Sequence, residues 1–228
     1  MTTPSIDGLL AQIEAALRPL ADAQQAAPMR AYMLKQFAFL GIRATPRRQA
    51  LRGLPKLSGW AAPELLALAD RLWDLPEREF QYVAVDLLAK YHRQLGPESL
   101  AHLLQLVQRK PWWDTVDALA GVVGDILLRA RAGQPEVQRA MDACLSHPSL
   151  WVRRVAMLHQ LGWKAQTDQA RLFRYALALA PETEFFIRKA IGWALRAYAY
   201  TNKKWVIRFV KDHPQLSNLS KREALKHQ

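Results

Sequence analysis

The chain has 228 residues, 50% of them hydrophobic, which is enough to bury the core of one large domain or two small ones. Lys and Arg number 32 against 20 Asp and Glu, and the resulting net charge of +12 favours an anionic partner, most often nucleic acid. Cys144 is the single cysteine, which excludes an intrachain disulfide and a cysteine-based zinc site. No apolar run reaches the roughly 18 residues that a membrane crossing needs, so we expect a soluble cytoplasmic protein.

Apolar residues three and four positions apart predict helices along nearly the whole chain. The pattern starts with Ile6, Leu9, Leu10, Ile13 and Leu17 and recurs at Leu100, Leu103, Leu104 and Val107. Short breaks fall at prolines, several of which are placed to open a helix at its first turn. These prolines are Pro28, Pro46, Pro63, Pro76, Pro97, Pro111, Pro135, Pro148 and Pro181. Alternating strand patterns are missing from the sequence, so we predict about a dozen helices and no sheet.

Helix pairs recur along the chain with a spacing of roughly 40 residues, and the segments that start at Pro63, Pro97, Pro135 and Pro181 resemble one another in pattern. This spacing is typical of degenerate HEAT-like repeats, in which antiparallel helix pairs stack into a superhelix whose concave face can follow duplex DNA. We predict an all-α solenoid that forms a single domain over residues 1–228. A compact irregular bundle is the alternative that periodicity leaves open.

The basic residues concentrate towards the two ends of the chain. From Ala23 to Pro63 there are seven basic residues and no acidic one, and from Phe185 to Gln228 there are ten against Asp212 and Glu223. The stretch from Glu64 to Glu184 is almost balanced. Two such segments favour contacts with a nucleic-acid backbone, and a basic face that meets solvent alone is the alternative.

The strongest candidate for chemistry is the segment Lys110–Asp117, where Pro111 precedes two tryptophans and two aspartates. Trp113 and Asp117 are four residues apart, so on a helix they lie about 40° from each other on one face. Asp114 falls in the first turn, where a carboxylate can cap the helix or interact with its dipole. Asp117 has no such structural explanation.

Two other predicted helices, Leu150–Leu158 and Phe185–Arg196, carry isolated polar or aromatic groups within an apolar pattern. Trp193 lies in the second of them, although a tryptophan at helical spacing is more often a core residue than a ligand-binding one. Near the end of the chain, Ser220 and Glu223 have the spacing of a capping box and predict the start of the last helix.

Five ordered segments of the sequence resemble a known family. They run from Tyr32 to Gln49, from Leu72 to Glu79, from Trp112 to Asp117, from Ala190 to Trp193 and from Leu219 to Ala224. The family is the AlkD family of bacterial alkylpurine DNA glycosylases, which are built from HEAT-like repeats. The similarity extends over almost the whole chain.

The resemblance implies that Asp117 is the catalytic carboxylate. Trp113 and Trp193 then form an aromatic cleft around the lesion nucleotide, and Arg154 holds the DNA backbone. Further DNA contacts are expected from a threonine and from basic side chains, namely Thr45, Arg47, Arg48, Arg153, Lys164, Lys221 and Arg222. The family often has a lysine at the position of Gly162, so a phosphate contact there is lost or shifted in this chain.

The implied reaction is hydrolysis of the N-glycosidic bond of a cationic alkylated purine, such as N3-methyladenine or N7-methylguanine, in double-stranded DNA. The cationic base is already a good leaving group, and a fixed carboxylate stabilises the oxocarbenium character of the sugar. No polar cluster that would enclose a base edge is visible, so bulky adducts would also be accepted. We expect a monofunctional, monomeric enzyme without a cofactor. No metal is expected either, because the six histidines, His227 among them, form no close-spaced ligand pair.

Two functions without catalysis remain open. A non-catalytic paralogue with the same scaffold would bind distorted or branched DNA, and the combination of Trp113 with Asp117 argues against it. A helical-repeat scaffold for protein partners gives no reason for the basic ends of the chain.

Overall fold

The computed structural model describes residues 4–134 and 136–226, and within these residues it has twelve α-helices and four short 3-10 helices but no sheet. A β-bridge joins Ala38 and Glu77. The repeat start predicted at Pro135 and the histidine at position 227 lie outside the described residues. The prediction of a helical fold without a sheet is confirmed for the part of the chain that is described.

The chain divides into two compact units, Met1–Leu95 and Gly96–Gln228. The first unit contains α1 (Ile6–Leu17), α2 (Ala23–Tyr32), α3 (Ala44–Ala50), α4 (Ala62–Asp74) and α5 (Arg78–Lys90). The second contains α6 (Leu100–Gln108), α7 (Trp113–Ala130), α8 (Val137–Cys144), α9 (Leu150–Leu158), α10 (Gln169–Ala178), α11 (Phe185–Asp212) and α12 (Asn218–Ala224). The 3-10 helices are Arg18–Leu20, His92–Gln94, Pro97–Ser99 and Lys164–Gln166. The single domain predicted for residues 1–228 stays a prediction.

In the first unit, α4 packs on α5 and α1 packs on α4. Glu79 at the start of α5 ties down the connection between α2 and α3, because its buried carboxylate accepts hydrogen bonds from the backbone N–H groups of Leu40, Gly41 and Ile42 at 2.9, 2.9 and 3.0 Å. Gly41 has a φ of +93°, and a Cβ there would lie 2.1 Å from the carbonyl oxygen of Asp22. Glu79 and Gly41, which lie in two of the segments that resemble the family, therefore each have a structural role.

The helix break predicted at Pro28 is wrong, since α2 runs through this residue. Asp22 caps the helix by accepting hydrogen bonds from the backbone N–H groups of Gln24 and Gln25 at 2.8 and 3.1 Å. The interior proline removes one backbone hydrogen bond, and the capped helix accommodates that loss.

In the second unit, α9 packs against α7 and α11, and α12 packs against α11. The apolar spacing seen in the sequence produces this arrangement, because the residues it selects from α7, α9 and α11 are buried. They include Val116, Leu119 and Val123, Val152 and Val155, and Ile187 and Ile191. Among the described helices none is both long and apolar enough to cross a membrane.

The capping box predicted at Ser220 is wrong, because α12 begins at Asn218. The cap is Ser217, whose hydroxyl accepts a hydrogen bond from the backbone N–H of Ser220 at 3.0 Å. Ser220 itself lies within the helix and donates through its hydroxyl to the carbonyl oxygen of Arg188 in α11 at 2.8 Å. The Glu223 side chain also bonds to α11, so both residues of the supposed box serve contacts between two helices.

Candidate active site

The site is centred on an ion pair between α7 and α9. Arg154 Nε lies 2.7 Å from Asp117 Oδ1 and Arg154 Nη2 lies 2.8 Å from Asp117 Oδ2, so the guanidinium holds both oxygens of the carboxylate. The Arg154 side chain is 1% exposed, whereas that of Asp117 is 20% exposed. The carboxylate is therefore fixed from the protein side and accessible from solvent.

A third helix locks the arginine. Arg154 Nη1 donates to the carbonyl oxygen of Phe186, the second residue of α11. Each of the three guanidinium nitrogens thus has a partner within the protein, two on Asp117 and one on Phe186. The structure places Arg154 behind the carboxylate, and its contact with the DNA backbone stays a prediction.

Burial raises the pKa of the Asp117 carboxyl above its usual range, and the nearby charge of Asp114 adds to the increase, while Arg154 opposes both. Because this carboxyl holds its proton at a higher pH than an exposed aspartate does, its charge depends on Arg154. Because the surrounding protein lowers the effective dielectric, the Asp117 carboxylate would interact more strongly with a bound cation than a carboxylate in bulk water would.

Trp193 lies beside this pair on α11. Its Nε1 donates to Glu223 Oε2 at 3.1 Å, and the guanidinium carbon of Arg154 lies 5.5 Å from its ring centroid. The Lys189 ammonium is also near the indole, 5.2 Å from a ring centroid. The structure therefore brings together Asp117, Arg154 and Trp193, three of the residues that the resemblance selected.

Trp113 is the first residue of α7, one helical turn before Asp117, and is half-buried. Asp114 falls in the first turn of α7, as predicted. The role of Trp113 in an aromatic cleft around the lesion nucleotide stays a prediction.

Three aromatic rings, none of which was expected from the sequence to belong to the site, pack together next to the ion pair. Phe186 lies 5.1 Å from Trp112 and 5.0 Å from Trp151 between ring centroids, and the two tryptophans are 5.7 Å apart. Since the Phe186 carbonyl oxygen accepts a hydrogen bond from Arg154, this cluster fixes the start of α11 against the site. The neighbouring Trp112 and Trp113 were visible in the sequence. The hydrogen bond from Arg154 to the backbone carbonyl of Phe186 could not be seen there, because any residue has such a carbonyl.

The other DNA-contact candidates of the second unit differ in their exposure and in their bonds within the protein. Arg153 pairs with Glu182 at 2.7 Å and its side chain is 15% exposed. Lys221 donates to the carbonyl oxygen of Pro214 at 2.7 Å. Lys164 and Arg222 are exposed, and Lys164 has a φ of +52°. Contact with DNA stays a prediction for all four.

In the first unit, the candidates Thr45, Arg47 and Arg48 lie on α3. Arg47 is buried and Arg48 is 64% exposed, and both bond to Asp86, at 3.1 Å and 2.8 Å. Thr45 is exposed. Arg48 and Thr45 are therefore the members of this group that are open to a partner, which also stays a prediction.

Among the described residues no group of three or more histidine, cysteine, aspartate or glutamate side chains is arranged to hold a metal ion. Cys144, the single cysteine of the chain, is buried.

The comparisons with known proteins agree on one family. Residues 13–228 match the family described as DNA alkylation repair enzyme. A solved structure from Enterococcus faecalis, described as a predicted DNA alkylation repair enzyme, is 35% identical, and the match covers 90% of this chain and 95% of that one with a TM-score of 0.83. No curated protein matches the chain.

A second solved structure resembles this chain in fold alone. It is the alkylpurine DNA glycosylase AlkC of Pseudomonas fluorescens bound to DNA containing an abasic site analog, with 16% identity, coverage of 99% of this chain and 65% of that one, and a TM-score of 0.56. The prediction of an all-helical solenoid-type fold is confirmed. With a match over nearly its whole length and a solved relative above 30% identity, the chain belongs to the DNA alkylation repair enzyme family.

Proposed function

We propose that this chain is an alkylpurine DNA glycosylase of the AlkD type, which hydrolyses the N-glycosidic bond of cationic alkylated purines in double-stranded DNA. The observation that carries the proposal is the Asp117 carboxylate, which a buried Arg154 holds through both oxygens while Trp193 lies beside that arginine. The Asp117 side chain is 20% exposed, so a cation on the solvent side can approach the carboxylate that Arg154 holds from within.

The chemistry follows from the positive charge of the lesion. The C1′–N bond breaks with its electron pair moving to the cationic purine, which leaves as a neutral base, and a water molecule adds to C1′ and loses a proton. The sugar gains oxocarbenium character, and Asp117 supplies the opposite charge while orienting the water. Two unit charges about 4 Å apart in an effective dielectric of about 20 interact by about 4 kcal/mol, which is roughly a thousandfold in rate.

The aromatic residues contribute less. Trp113 and Trp193 offer π faces to the cationic sugar or base, and each such contact is worth on the order of 0.5–2 kcal/mol. One side of Trp193 already faces Arg154, so the indole links the lesion to the ion pair. Asp117 therefore dominates the rate, and the tryptophans place the nucleotide.

Selectivity would come from the leaving group. Asp117, Trp113 and Trp193 act on the sugar and the strand and provide little for a base edge, so N3-methyladenine and N7-methylguanine are substrates and neutral lesions are not. Since the base need not be enclosed, bulky N3 and N7 adducts are also accepted. A DNA substrate of this kind would place the protein with the nucleoid in the bacterial cytoplasm.

Affinity for DNA would be independent of sequence and largely electrostatic, because both basic segments can contact several phosphates. Arg48, Thr45, Lys164 and Arg222 are exposed and suited to this role. Arg154, Arg153, Arg47 and Lys221 must first give up contacts within the protein, and Arg48, although exposed, must give up its bonds to Asp86. We propose a monomer that works without a cofactor.

The experiment is a base-release assay on a duplex that carries N7-methylguanine at one position. We expect free N7-methylguanine and an abasic strand that stays intact until it is heated in alkali, which is the product of a monofunctional enzyme. Binding of the duplex without base release would contradict the proposal and favour the non-catalytic DNA-binding alternative. Strand cleavage without alkali would contradict the monofunctional mechanism.

A further inference from the structure

The C-terminal helix α12 contacts α11 directly beside Trp193. Gly192 permits this approach, because a Cβ on Gly192 would lie 2.4 Å from Glu223 Cβ and 2.8 Å from the carbonyl oxygen of Ser220. Any side chain at this position would push α12 away from α11. The residue before the tryptophan therefore sets the distance between the two helices.

Glu223 uses this proximity to hold the indole. Its Oε2 accepts a hydrogen bond from Trp193 Nε1 at 3.1 Å and another from Arg196 Nη1 at 2.9 Å. Arg196 Nη1 also lies within 3.2 Å of the Glu223 carbonyl oxygen. Arg196 thus fixes the backbone and the carboxylate of Glu223 together, and the carboxylate is aimed at Trp193.

The hydrogen bonds from Arg196 and Trp193 favour the charged form of the Glu223 carboxyl. Its side chain is 14% exposed, and although burial opposes the change, the hydrogen bonds from Arg196 and Trp193 hold the pKa of Glu223 below its usual range. A hydrogen bond to a charged acceptor is about twice as strong as one between neutral groups. The indole N–H therefore has a strong hydrogen-bond acceptor in Glu223.

A second attachment prevents α12 from turning on α11. The Ser220 hydroxyl donates to the carbonyl oxygen of Arg188, 2.8 Å away, one helical turn before Gly192. With Glu223 bonded further along α11, the short helix is held at two points. Glu223 consequently reaches Trp193 in one orientation.

We propose that Glu223 is a positioning residue for base excision: it sets the plane of the Trp193 indole and, through that ring, supports the guanidinium of Arg154 behind Asp117. The path runs from Glu223 to Trp193 at 3.1 Å, from the indole centroid to the Arg154 guanidinium carbon at 5.5 Å, and from Arg154 to Asp117 at 2.7 Å. It joins four helices of the second unit. The inference rests on the proposed glycosylase function for its kinetic consequence but not for its geometry.

The hydrogen bond to Glu223 restricts the two side-chain torsions of Trp193. An indole N–H that is removed from water usually has a hydrogen-bond partner, and this bond defines the direction in which the ring face points. A displacement of about 1 Å at a catalytic site can lower the rate by about a hundredfold. A residue that does not touch the substrate can in this way control the rate.

The test compares two variants of equal side-chain length. Glu223→Gln keeps an oxygen that accepts the indole hydrogen bond, whereas Glu223→Met removes it. We expect Glu223→Met to lower kcat by roughly 10- to 100-fold with KM unchanged or reduced, and Glu223→Gln to recover most of the loss. Asp212→Asn is the matched control, because it removes a carboxylate from the end of the same α11, where Asp212 pairs with exposed Arg208 at 3.4 Å.

A second readout does not depend on activity. In a ¹⁵N-labelled protein the indole N–H signal of Trp193, assigned through Trp193→Phe, should shift and exchange faster with solvent in Glu223→Met. It should shift less in Glu223→Gln, whose neutral amide oxygen is a weaker acceptor, and stay close to its original position in Asp212→Asn. Circular dichroism confirms that each variant folds, and Glu223→Ala replaces Glu223→Met where the latter does not.

These measurements distinguish a failure of the proposed glycosylase function from a failure of the positioning role of Glu223. If the wild-type protein releases no base while the indole signal responds as expected, the proposed function fails and the geometry stands. If the wild-type protein is active and Glu223→Met retains kcat, or if the indole signal does not respond, the positioning role is overturned. A loss in Glu223→Met that Glu223→Gln shares in full also overturns it, since charge and anchoring to Arg196 would then be the cause.

Discussion

Asp117 and Asp86 each form an ion pair with an arginine, but the two pairs differ in burial and in the pKa of the carboxyl. Arg154 is 1% exposed and holds both oxygens of Asp117, whereas Arg48 is 64% exposed and bonds to Asp86 at 2.8 and 3.1 Å. Burial raises the pKa of Asp117, while at Asp86 burial is outweighed by the bonds from Arg48 and Arg47, which lower its pKa. A partly buried carboxylate with a single arginine partner and a raised pKa is typical of a functional site more than of an exposed surface pair.

The largest difference between the two pairs should appear in the rate. Asp117→Asn keeps the shape of the side chain and removes its charge, so we expect single-turnover release of N7-methylguanine to fall by about a thousandfold while the fold and DNA binding are retained. Asp86→Asn is the matched control and should leave the rate nearly unchanged. Equal losses in both variants would show that the distinction between the pairs is mistaken.

Stability should separate the pairs next. Arg154→Ala leaves the Asp117 carboxylate in a buried position without its partner, so we expect the free energy of unfolding to fall by about 3–5 kcal/mol. Arg48→Ala, at an exposed pair, should cost about 0–1 kcal/mol. Urea unfolding measures both values, and a small effect for Arg154→Ala would argue that the site is more hydrated than the structure indicates.

The pH dependence of catalysis should follow Asp117. The active form is the charged carboxylate and burial raises its pKa, so activity is present above that pKa and is lost as the pH falls through it. The acid limb of the single-turnover rate should have a slope of about one and begin at a higher pH than an exposed aspartate would give. A rate that stays constant down to the usual range of aspartate would rule out this assignment of the acid limb.

The smallest expected effect concerns the surface pair. If Arg48 contacts a phosphate, Arg48→Gln should reduce the slope of log affinity for undamaged duplex against log salt by about 0.9. The control is Arg71→Gln, which removes another exposed arginine of the first unit, paired with Asp7 at 2.9 Å. An unchanged slope for Arg48→Gln would remove this residue from the DNA interface.

The helices could be predicted from the sequence because their signal is local. Apolar residues spaced three and four apart, as in α1, determine which face is buried, and this requires no knowledge of the rest of the chain. Local signals also produced the errors. Pro28 suggested a break although Asp22 caps the helix that contains it, and Ser220 with Glu223 suggested a cap although both side chains bond to α11.

The site could be predicted in part. Asp117 and Trp193 were selected through a resemblance, and Asp117 also through its place four residues after Trp113. Their connection was not predictable, because Arg154 and Asp117 are 37 residues apart in sequence and Glu223 and Trp193 are 30 apart. The packing of α7, α9, α11 and α12 decides which of these polar groups meet.

The most direct test of the central claim is a comparison of lesions. Matched duplexes that differ at one position, with either cationic N7-methylguanine or neutral uracil, are incubated with the wild-type protein and the free bases are quantified. If a fixed carboxylate acts on the sugar and the leaving group supplies the selectivity, N7-methylguanine is released and uracil is not. Efficient release of uracil, or no release from either duplex, would contradict the account.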